Sequence, residues 1–416
     1  MSFQQGLSGL NAASKSLEAI GNNVANSGTA GFKQSQVQFS DVYASSLTGS
    51  GSAQIGIGTQ VARVAQLFSQ GNITASNNPL DMAINGDGFF RMSNGGAISY
   101  ARNGQFIMSK EGYIEGADGG RLTGYMADAT GVVAVGAPTE LVINKTDLAP
   151  LATTTYQLSV KLDSRKANLT EAGFDPDKPT TFHDSTSAPV YDSLGNSHTL
   201  RTFYVKTAGG QWSVFATNDG VPIGYDPLAA PPANAPVPIG TLTFNTGGAL
   251  TSSPTTMTVA MDTTTGAATP FNVTIDHAAS QQFAGDFGIS KQLPNGYSSG
   301  TLAGFTVSNN GDIVGRYTNG EVNTLGQVIL SSFANPNGLQ NVGGNRWVET
   351  SDSGVPMTST PGSSGLGSVQ SARIEESNVD MTAELVNMIV AQRVYQANAQ
   401  TIKTQDQLLQ TLVNLR

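Results

Sequence analysis

The segment SNVDMTAELVNMIVAQRVYQANAQTIKTQDQLLQTLVNLR, residues 377–416, decides how the chain folds. Large side chains recur in it every seven residues, and two further apolar side chains follow members of the series by four positions. The resulting stripe comprises Met381, Leu385, Met388, Tyr395, Ile402, Leu409 and Val413. This period predicts a long α-helix that packs lengthwise against another helix. Ser377 or Asn378 would cap the helix, and Asp380 and Glu384 place negative charge where the helix dipole favours it.

A second apolar stripe lies at the other end of the chain. Its members are Phe3, Leu7, Leu10, Leu17, Ile20 and Val24. We expect an amphipathic helix over 1–26 that pairs with the C-terminal helix over 375–416. Such a pair is marginal alone, because ordering each residue costs at least about 1 kcal/mol. We therefore expect the chain ends to be loose in a monomer and ordered in an assembly.

The segment GNNVANSGTAGFK, residues 21–33, follows the first helix and has the glycine content of a phosphate-binding loop. In such a loop a lysine directly follows a glycine and a strand precedes it, whereas here Phe32 separates Gly31 from Lys33 and a helix precedes. We interpret the segment as the exit from the helix. The predicted turn residues are Gly21, Gly28 and Gly31.

The middle of the chain has the turn spacing of β-structure. In LDMAINGDGFFRMS, residues 80–93, Gly86 and Gly88 form a turn between two strands and precede two phenylalanines. The stretch at 187–219 predicts three antiparallel strands joined by short glycine-containing turns.

The expected fold class is therefore mixed α and β and multidomain, with a terminal α-helical coiled-coil pair and two mainly antiparallel β domains, one inserted in the other. Changes in composition indicate the boundaries. The expected parts are paired terminal helices at 1–26 and 375–416, linker segments at 27–70 and 355–374, a discontinuous β domain at 71–146 and 291–354, and an inserted outer β domain at 147–290. Within the linkers, the Gly- and Ser-rich stretch at 358–370 is the clearest candidate for flexibility.

Composition argues against several classes of function. A net charge of −9 argues against nucleic acid as a partner, because phosphate binding needs clustered Lys and Arg. The absence of cysteine excludes disulfides and cysteine nucleophiles. The sequence contains no run of about 18 apolar residues, so we do not predict membrane insertion. The N-terminus lacks the pattern of a cleaved secretory signal.

Catalytic and metal-binding motifs are also missing from the sequence. His183, His198 and His277 are isolated, so they would form a zinc site only if the fold brought them together. No Gly-x-Ser-x-Gly motif marks a serine nucleophile. We predict no enzyme activity, no cofactor and no bound metal. The alternative is an enzymatic or carbohydrate-binding site within 147–290. Histidines that lie together in a cleft would support this alternative.

Four motifs carry a family resemblance. They are SGLNAASKSLEAIGNNVANSGTAGFK at 8–33, LDMAINGDGFF at 80–90, YARNGQF at 100–106 and the tail at 385–416. Together they resemble the signatures of bacterial flagellar rod and hook axial proteins. The large inserted block makes the chain most similar to the hook protein family, since the distal rod proteins lack so large an insertion.

The resemblance implies a structural subunit that polymerises into a curved hollow helical tube, a flexible universal joint that transmits motor torque from rod to filament. Its terminal helices would line the tube, with the two β domains as outer layers. The implied partners are further copies of the chain, the rod, hook cap and hook–filament junction proteins, and the flagellar type III export apparatus. The implied location is the extracellular hook attached to the basal body, reached without a cleaved signal peptide. The alternative is a distal rod (driveshaft) subunit.

Overall fold

The computed structural model describes residues 2–42, 56–224 and 236–414. Within them the chain is mostly β-structure, with α1 at Ser2–Ala25 and α2 at Met381–Asn414. The chain divides into two compact units. Unit 1 comprises 1–145, 304–315 and 322–416, and unit 2 comprises 146–303 and 316–321.

The strands are short and follow one another closely along the chain. The first ten are β1 (Ser35–Val42), β2 (Gly58–Gln66), β3 (Ile73–Ala75), β4 (Met82–Asn85), β5 (Phe89–Asn94), β6 (Ala97–Ala101), β7 (Phe106–Met108), β8 (Ile114–Gly116), β9 (Arg121–Met126) and β10 (Thr139–Glu140). The next ten are β11 (Thr155–Asp163), β12 (Asp184–Tyr191), β13 (Ser197–Ala208), β14 (Gln211–Asn218), β15 (Val221–Pro222), β16 (Gly240–Thr243), β17 (Thr256–Met261), β18 (Phe271–Asp276), β19 (Gln281–Phe283) and β20 (Gly288–Pro294). The last nine are β21 (Leu302–Val307), β22 (Asp312–Tyr317), β23 (Val322–Val328), β24 (Leu330–Ser332), β25 (Gln340–Gly343), β26 (Arg346–Val348), β27 (Met357–Ser359), β28 (Ser368–Ser371) and β29 (Arg373–Glu375). Short 3-10 helices lie at Glu171–Gly173 and Pro336–Gly338.

Unit 1 is built around one irregular sheet in the order β21-β22-β23-β9-β5-β6-β26-β25. Its core contains an aromatic cluster in which Phe89, 3% exposed, contacts Phe68, Phe333 and Trp347 with ring centroids 5.4–6.0 Å apart. The predicted turn before Phe89 is present, and Gly86 and Gly88 there have φ values of +110° and +124°. The turn therefore seats aromatic side chains in the core.

The segments expected to be linkers contain paired strands. Within 27–70, β1 and β2 form an antiparallel hairpin, and the Ser8 hydroxyl of α1 accepts a 3.3 Å hydrogen bond from the Thr59 backbone NH. Within 355–374, β27 pairs with β24, β28 with β4 and β29 with β3. Leu366 and Val369 are buried. The expectation of a flexible segment at 358–370 is therefore corrected: its Gly and Ser residues form turns between paired strands, and Leu366 and Val369 are buried there.

Unit 2 has two five-stranded sheets. One has the order β17-β18-β11-β19 with β20 also on β11, and the other has the order β12-β13-β14-β15 with β16 also on β14. The three strands predicted at 187–219 correspond to β12, β13 and β14. The shared core includes Trp212, Tyr204 and Leu158, all 0% exposed. The other side of the β12–β14 sheet is covered by the segment before β12, where Phe174 stacks on Phe215 at 4.1 Å.

The bounds of α2 differ from the expected start at 375. Residues 373–375 form β29, and α2 begins at Met381. The cap is Asp380, whose Oδ1 accepts hydrogen bonds from the backbone NH groups of Thr382 and Ala383 at 2.9 and 3.1 Å. Asn378, one of the two predicted caps, instead bonds to backbone elsewhere in unit 1, at Gln34 and Leu67.

Candidate assembly site

The two terminal helices pack against each other through small side chains. A Cβ atom on Gly6 would lie 3.1 Å from Ile402, and one on Gly9 would lie 2.8 Å from Asn398. Ala13 and Ala391 are the other well buried apolar positions of the helices, at 5% and 8% exposure. Small residues let two helices approach closely, so they take the contact line between α1 and α2.

The predicted apolar stripes consequently lie beside this contact line. Leu10, Leu17, Ile20 and Val24 of α1 are half-buried, as are Met388 and Ile402 of α2. The exposed members of the two stripes are Phe3 (47%), Leu7 (43%), Met381 (50%), Leu385 (44%), Tyr395 (38%) and Leu409 (55%). Val413 belongs to α2, but its side chain lies outside the described residues. In the single chain, the two stripes are therefore not fully buried against each other.

Sequence periodicity missed a further set of exposed apolar side chains on α2. They are Val386 (55%), Ile389 (50%), Val390 (54%), Val394 (47%) and Leu408 (53%). Together with the exposed stripe residues they form an exposed apolar surface along 381–395 of α2, with a second, smaller group at Leu408 and Leu409. An exposed apolar surface of this kind marks an interaction site. The signal in the sequence was the run VNMIV, which has apolar residues on more than one helix face.

The predicted turn at Gly21 is wrong, because α1 runs through Gly21 to Ala25 and includes Val24, close to the helix end expected at 26. The last turn is held by the Asn23 side chain, which donates to the Ser35 carbonyl and accepts from the Ser35 NH, both at 2.9 Å. Two hydrogen bonds to β1 offset the low helix propensity of a glycine. Gly28 lies in the turn that follows the helix.

Gly31 is the turn residue with a strict steric requirement. Its φ is +69°, and a Cβ atom there would lie 2.4 Å from the Asn103 nitrogen. The Gly31 NH donates a 2.8 Å hydrogen bond to the Glu375 carbonyl. The chain therefore passes close against two other segments of unit 1 immediately before Lys33.

Beyond Gly31, a buried ion network joins the two ends of the chain. Lys33 Nζ lies 2.7 Å from Glu375 Oε1 and donates a 2.8 Å hydrogen bond to the Ser69 carbonyl. Arg102 lies 3.4 Å from Glu375 Oε2 and donates to the Gly86 carbonyl at 2.9 Å. These three charged side chains are at most 2% exposed. Burial lowers the pKa of Lys33, although the charge of Glu375 opposes that change.

Carboxamides add a second connection between the helices and the sheet. Asn378 Oδ1 accepts a 2.8 Å hydrogen bond from the Gln34 NH, and its Nδ2 donates to the Leu67 carbonyl at 2.7 Å. The Gln34 side chain donates to Glu384 in the first turn of α2. Because these contacts surround the end of α1 and the beginning of α2, they fix both helices to unit 1.

The three histidines lie in different surroundings within unit 2. His183 contacts the Trp212 ring, His277 is fully buried against Tyr204, and His198 lies between Asp219 at 2.7 Å and Asp192 at 3.4 Å. In the part of the chain that the structure describes, no three His, Asp or Glu side chains form a group that could hold a metal ion. None of the described helices is long and apolar enough to cross a membrane.

Known flagellar proteins match the chain from end to end. The family descriptions are Flagella basal body rod protein at 3–33, Flagellar hook protein FlgE/F/G D1 domain at 83–161, Flagellar basal body protein FlaE D2 domain at 161–297 and Flagellar basal body rod FlgEFG protein C-terminal at 370–415. The flagellar hook protein FlgE of Salmonella typhimurium is 40% identical over 420 residues, and that of Escherichia coli is 38% identical. Both alignments cover 100% of each chain.

More distant relatives agree. The hook protein FlgE of Borreliella burgdorferi is 30% identical over 100% of this chain and 99% of its own. The crystal structure of Helicobacter pylori flagellar hook protein FlgE2 shares the fold, with a TM-score of 0.52 at 13% identity over 71% of this chain and 99% of that one. Because the full-length relatives are hook proteins, the hook assignment is favoured over the distal rod. The chain belongs to the flagellar hook protein family.

Proposed function

We propose that the chain is the structural subunit of the bacterial flagellar hook and polymerises into a curved hollow helical tube. The tube would act as a flexible universal joint that transmits motor torque from rod to filament. The observation that carries this proposal is the pair of terminal helices whose large apolar side chains stay exposed in the single chain. Full-length similarity to flagellar hook proteins supports the same role.

In the tube, the terminal helices would form the inner layer as a coiled-coil pair surrounded by the helices of neighbouring copies. The support is energetic. Burying a large apolar side chain contributes about 1.5–3 kcal/mol, and α1 and α2 leave many such side chains uncovered. Contacts with neighbours would therefore supply the burial that two helices joined through Gly6, Gly9 and alanines do not supply to each other.

The β-structure would form the outer layers of the tube. The strands of unit 1 would make the middle layer, and unit 2 would be the inserted outer domain. The division of the chain supports this arrangement, because 146–303 forms most of unit 2 and interrupts unit 1. Only 12% of residues are charged. Few charges and many small polar side chains suit outer contacts that slide as the tube bends.

The same role implies a set of partners. They are other copies of the chain, the flagellar rod, the hook cap, the hook–filament junction proteins and the type III export apparatus. Export would deliver the chain to the distal end of the growing tube without removal of a signal peptide. The proposed role is structural, with no enzymatic step.

Negative-stain electron microscopy of the purified protein under polymerising conditions tests this proposal. We expect hollow tubes from the full chain. Variants that lack 2–25 or 381–414 should stay monomeric while retaining folded unit 2, measured by Trp212 fluorescence in a Trp347→Phe background. Tubes formed by either truncated chain would rule out assembly through the terminal helices.

A further inference from the structure

The first turn of α2 contains a carboxylate, that of Glu384, in which only one of the two oxygens has a hydrogen-bond partner among the described residues. Glu384 is 3% exposed. Its Oε1 accepts a 2.5 Å hydrogen bond from Gln34, whereas Oε2 is buried and has no hydrogen-bond partner among the described residues. A buried charged oxygen without a partner is costly, so a further group should pair with it.

Glu384 lines a groove bounded by α1, β1 and α2. The groove has a volume of about 270 Å³ around Ser16, Asn23 and Asn387. It continues along the helices into an apolar part of about 380 Å³, with Ala12, Phe39, Val390 and Val394 among its walls. Ser16, Ile20 and Asn387 line both parts. An occupant that places a cation at one end and apolar side chains along the rest would match this surface.

Three cations lie on the described parts of the terminal helices. Lys15 is 2.7 Å from Glu18 and is therefore already paired. Arg393 and Lys403 are exposed, and no carboxylate within the described residues forms a salt bridge with either. Because the proposed function packs the terminal helices of neighbouring copies together, the donor is sought on these helices, and the choice lies between two residues of α2.

Helical geometry favours Arg393. At about 100° per residue, Arg393 lies about 180° around α2 from Glu384, whereas Lys403 lies about 100° from it. Arg393 therefore cannot reach Glu384 in its own chain. Val386 and Ile389 share its face of the helix within about 40°, and both are at least 50% exposed. The face around Arg393 combines a cation with apolar side chains.

We propose that Glu384 of one subunit binds the guanidinium of Arg393 of a second copy in the polymer, with Val386 and Ile389 of that copy in the apolar part of the groove. This rests on the proposed function and identifies one contact within it. A donor and an acceptor on opposite faces of one helix suit a head-to-tail contact that repeats along a helical polymer. The guanidinium also matches a carboxylate in shape and charge.

A double-mutant cycle on the critical concentration of polymerisation tests the pair. We expect Glu384→Gln and Arg393→Gln each to raise the critical concentration about tenfold, the size expected for a lost charge-assisted hydrogen bond. The double variant should be about as weak as either single variant, because each already removes the interaction. Lys403→Gln is the matched control and should stay within about twofold of the full chain.

A cross-linking experiment gives a second measurement in a chain without native cysteines. The Glu384→Cys and Arg393→Cys variants carry tags of different length, so that a mixed dimer can be distinguished by its size. They are copolymerised and treated with a short bismaleimide. We expect a mixed dimer that Glu384→Cys does not form with Lys403→Cys. Multiplicative effects in the double variant, or Arg393→Gln behaving like Lys403→Gln, would overturn the pair. Because Arg393 is exposed, its variant tests the pair even if Glu384→Gln misfolds. Failure of the full chain to form tubes would instead contradict the proposed function.

Discussion

Lys33 and Glu375 lie 342 positions apart in the chain, yet their side chains form a 2.7 Å ion pair with no exposure to solvent. The pair connects the segment that follows α1 to the strand that precedes α2. Glu375 also accepts a hydrogen bond from the Gly71 NH at 2.9 Å. One carboxylate therefore pairs with both Lys33 and Arg102 and holds the segments around Lys33, Gly71 and Arg102 against β29.

Removal of this carboxylate should destabilise unit 1 strongly. Glu375→Gln keeps the volume of the side chain but removes the carboxylate that contacts two buried cations, a change that costs about 3–5 kcal/mol. The chain has two tryptophans, so urea unfolding of a Trp212→Phe background reports unit 1 through Trp347. Glu376→Gln, at the exposed neighbouring position, is the control and should change the free energy of unfolding by less than about 0.5 kcal/mol. Equal effects of the two substitutions would argue against a structural role for the network.

Gly31 should not tolerate a side chain. Gly31→Ala places a Cβ atom 2.4 Å from the Asn103 nitrogen, at a φ of +69° that L-residues rarely adopt. We expect a loss of about 1–3 kcal/mol in the free energy of unfolding of unit 1, measured through Trp347 as above. Gly28→Ala is the matched control, since a Cβ atom at that position would meet no described atom within 4 Å. A Gly28→Ala chain as unstable as Gly31→Ala would show that the clash is not the cause.

The exposed apolar side chains of α2 should matter for assembly and not for folding of one chain. Ile389→Gln removes a side chain that is 50% exposed. We expect a rise of about four- to twelvefold in critical concentration, since burying the exposed half of a side chain of this size contributes about 0.8–1.5 kcal/mol. Thermal unfolding of the monomer should be unchanged. Val355→Gln, at an 85% exposed position outside the helices, should leave polymerisation unaffected. A lower melting temperature for monomeric Ile389→Gln would place its role within the single chain.

Unit 2 should lose stability in mild acid through His277. Burial lowers the pKa of His277 from 6.5 to about 4, so the folded chain holds it neutral while the unfolded chain binds a proton. The stabilisation is complete above pH 6.5 and falls as the pH drops towards 4, by about 3 kcal/mol in all. Urea unfolding followed by Trp212 in a Trp347→Phe background measures this slope. His277→Asn should flatten it, and an unchanged slope would assign the acid sensitivity to other groups.

His198 provides the opposite control for this pH dependence. Burial lowers the pKa of His198, but hydrogen bonds with Asp219 and Asp192 outweigh burial and raise it above 6.5. Its contribution is therefore present below pH 6.5 and is lost as the pH rises through the folded pKa. His198→Gln should remove stability at pH 6 and have less effect at pH 9.

Local patterns in the sequence predicted the local parts of the fold. Both terminal helices and the strands β12, β13 and β14 follow from the spacing of apolar residues and turn glycines. Composition was misleading where turns are dense, since the Gly- and Ser-rich segments before β4 and after β26 contain strands, and two of these pairings, β28 with β4 and β29 with β3, join residues far apart in the chain. Pairing over such distances leaves no local periodic signal.

The periodicity of apolar residues also could not predict which side of each helix makes the contact. Large side chains define the stripe that a pattern detects, whereas Gly6, Gly9 and Ala13 make the contact in the structure. The ion network was missed for a related reason. Lys33, Arg102 and Glu375 have no shared motif, and only the folded chain shows that they meet.

If the proposed export delivers the chain from its N-terminus, the pairing of β28 with β4 and of β29 with β3 would set a time order for folding. Unit 2 draws nearly all its strands from one continuous stretch, so it can complete its sheets while the last hundred residues are still to arrive. Unit 1 cannot complete its folding until residue 375 has been delivered, because β3, β4 and Lys33 have their partners in β29, β28 and Glu375. A chain whose delivery stopped before this point would combine a folded unit 2 with an incompletely folded unit 1. Attachment of both helices to unit 1 would be the last step of folding.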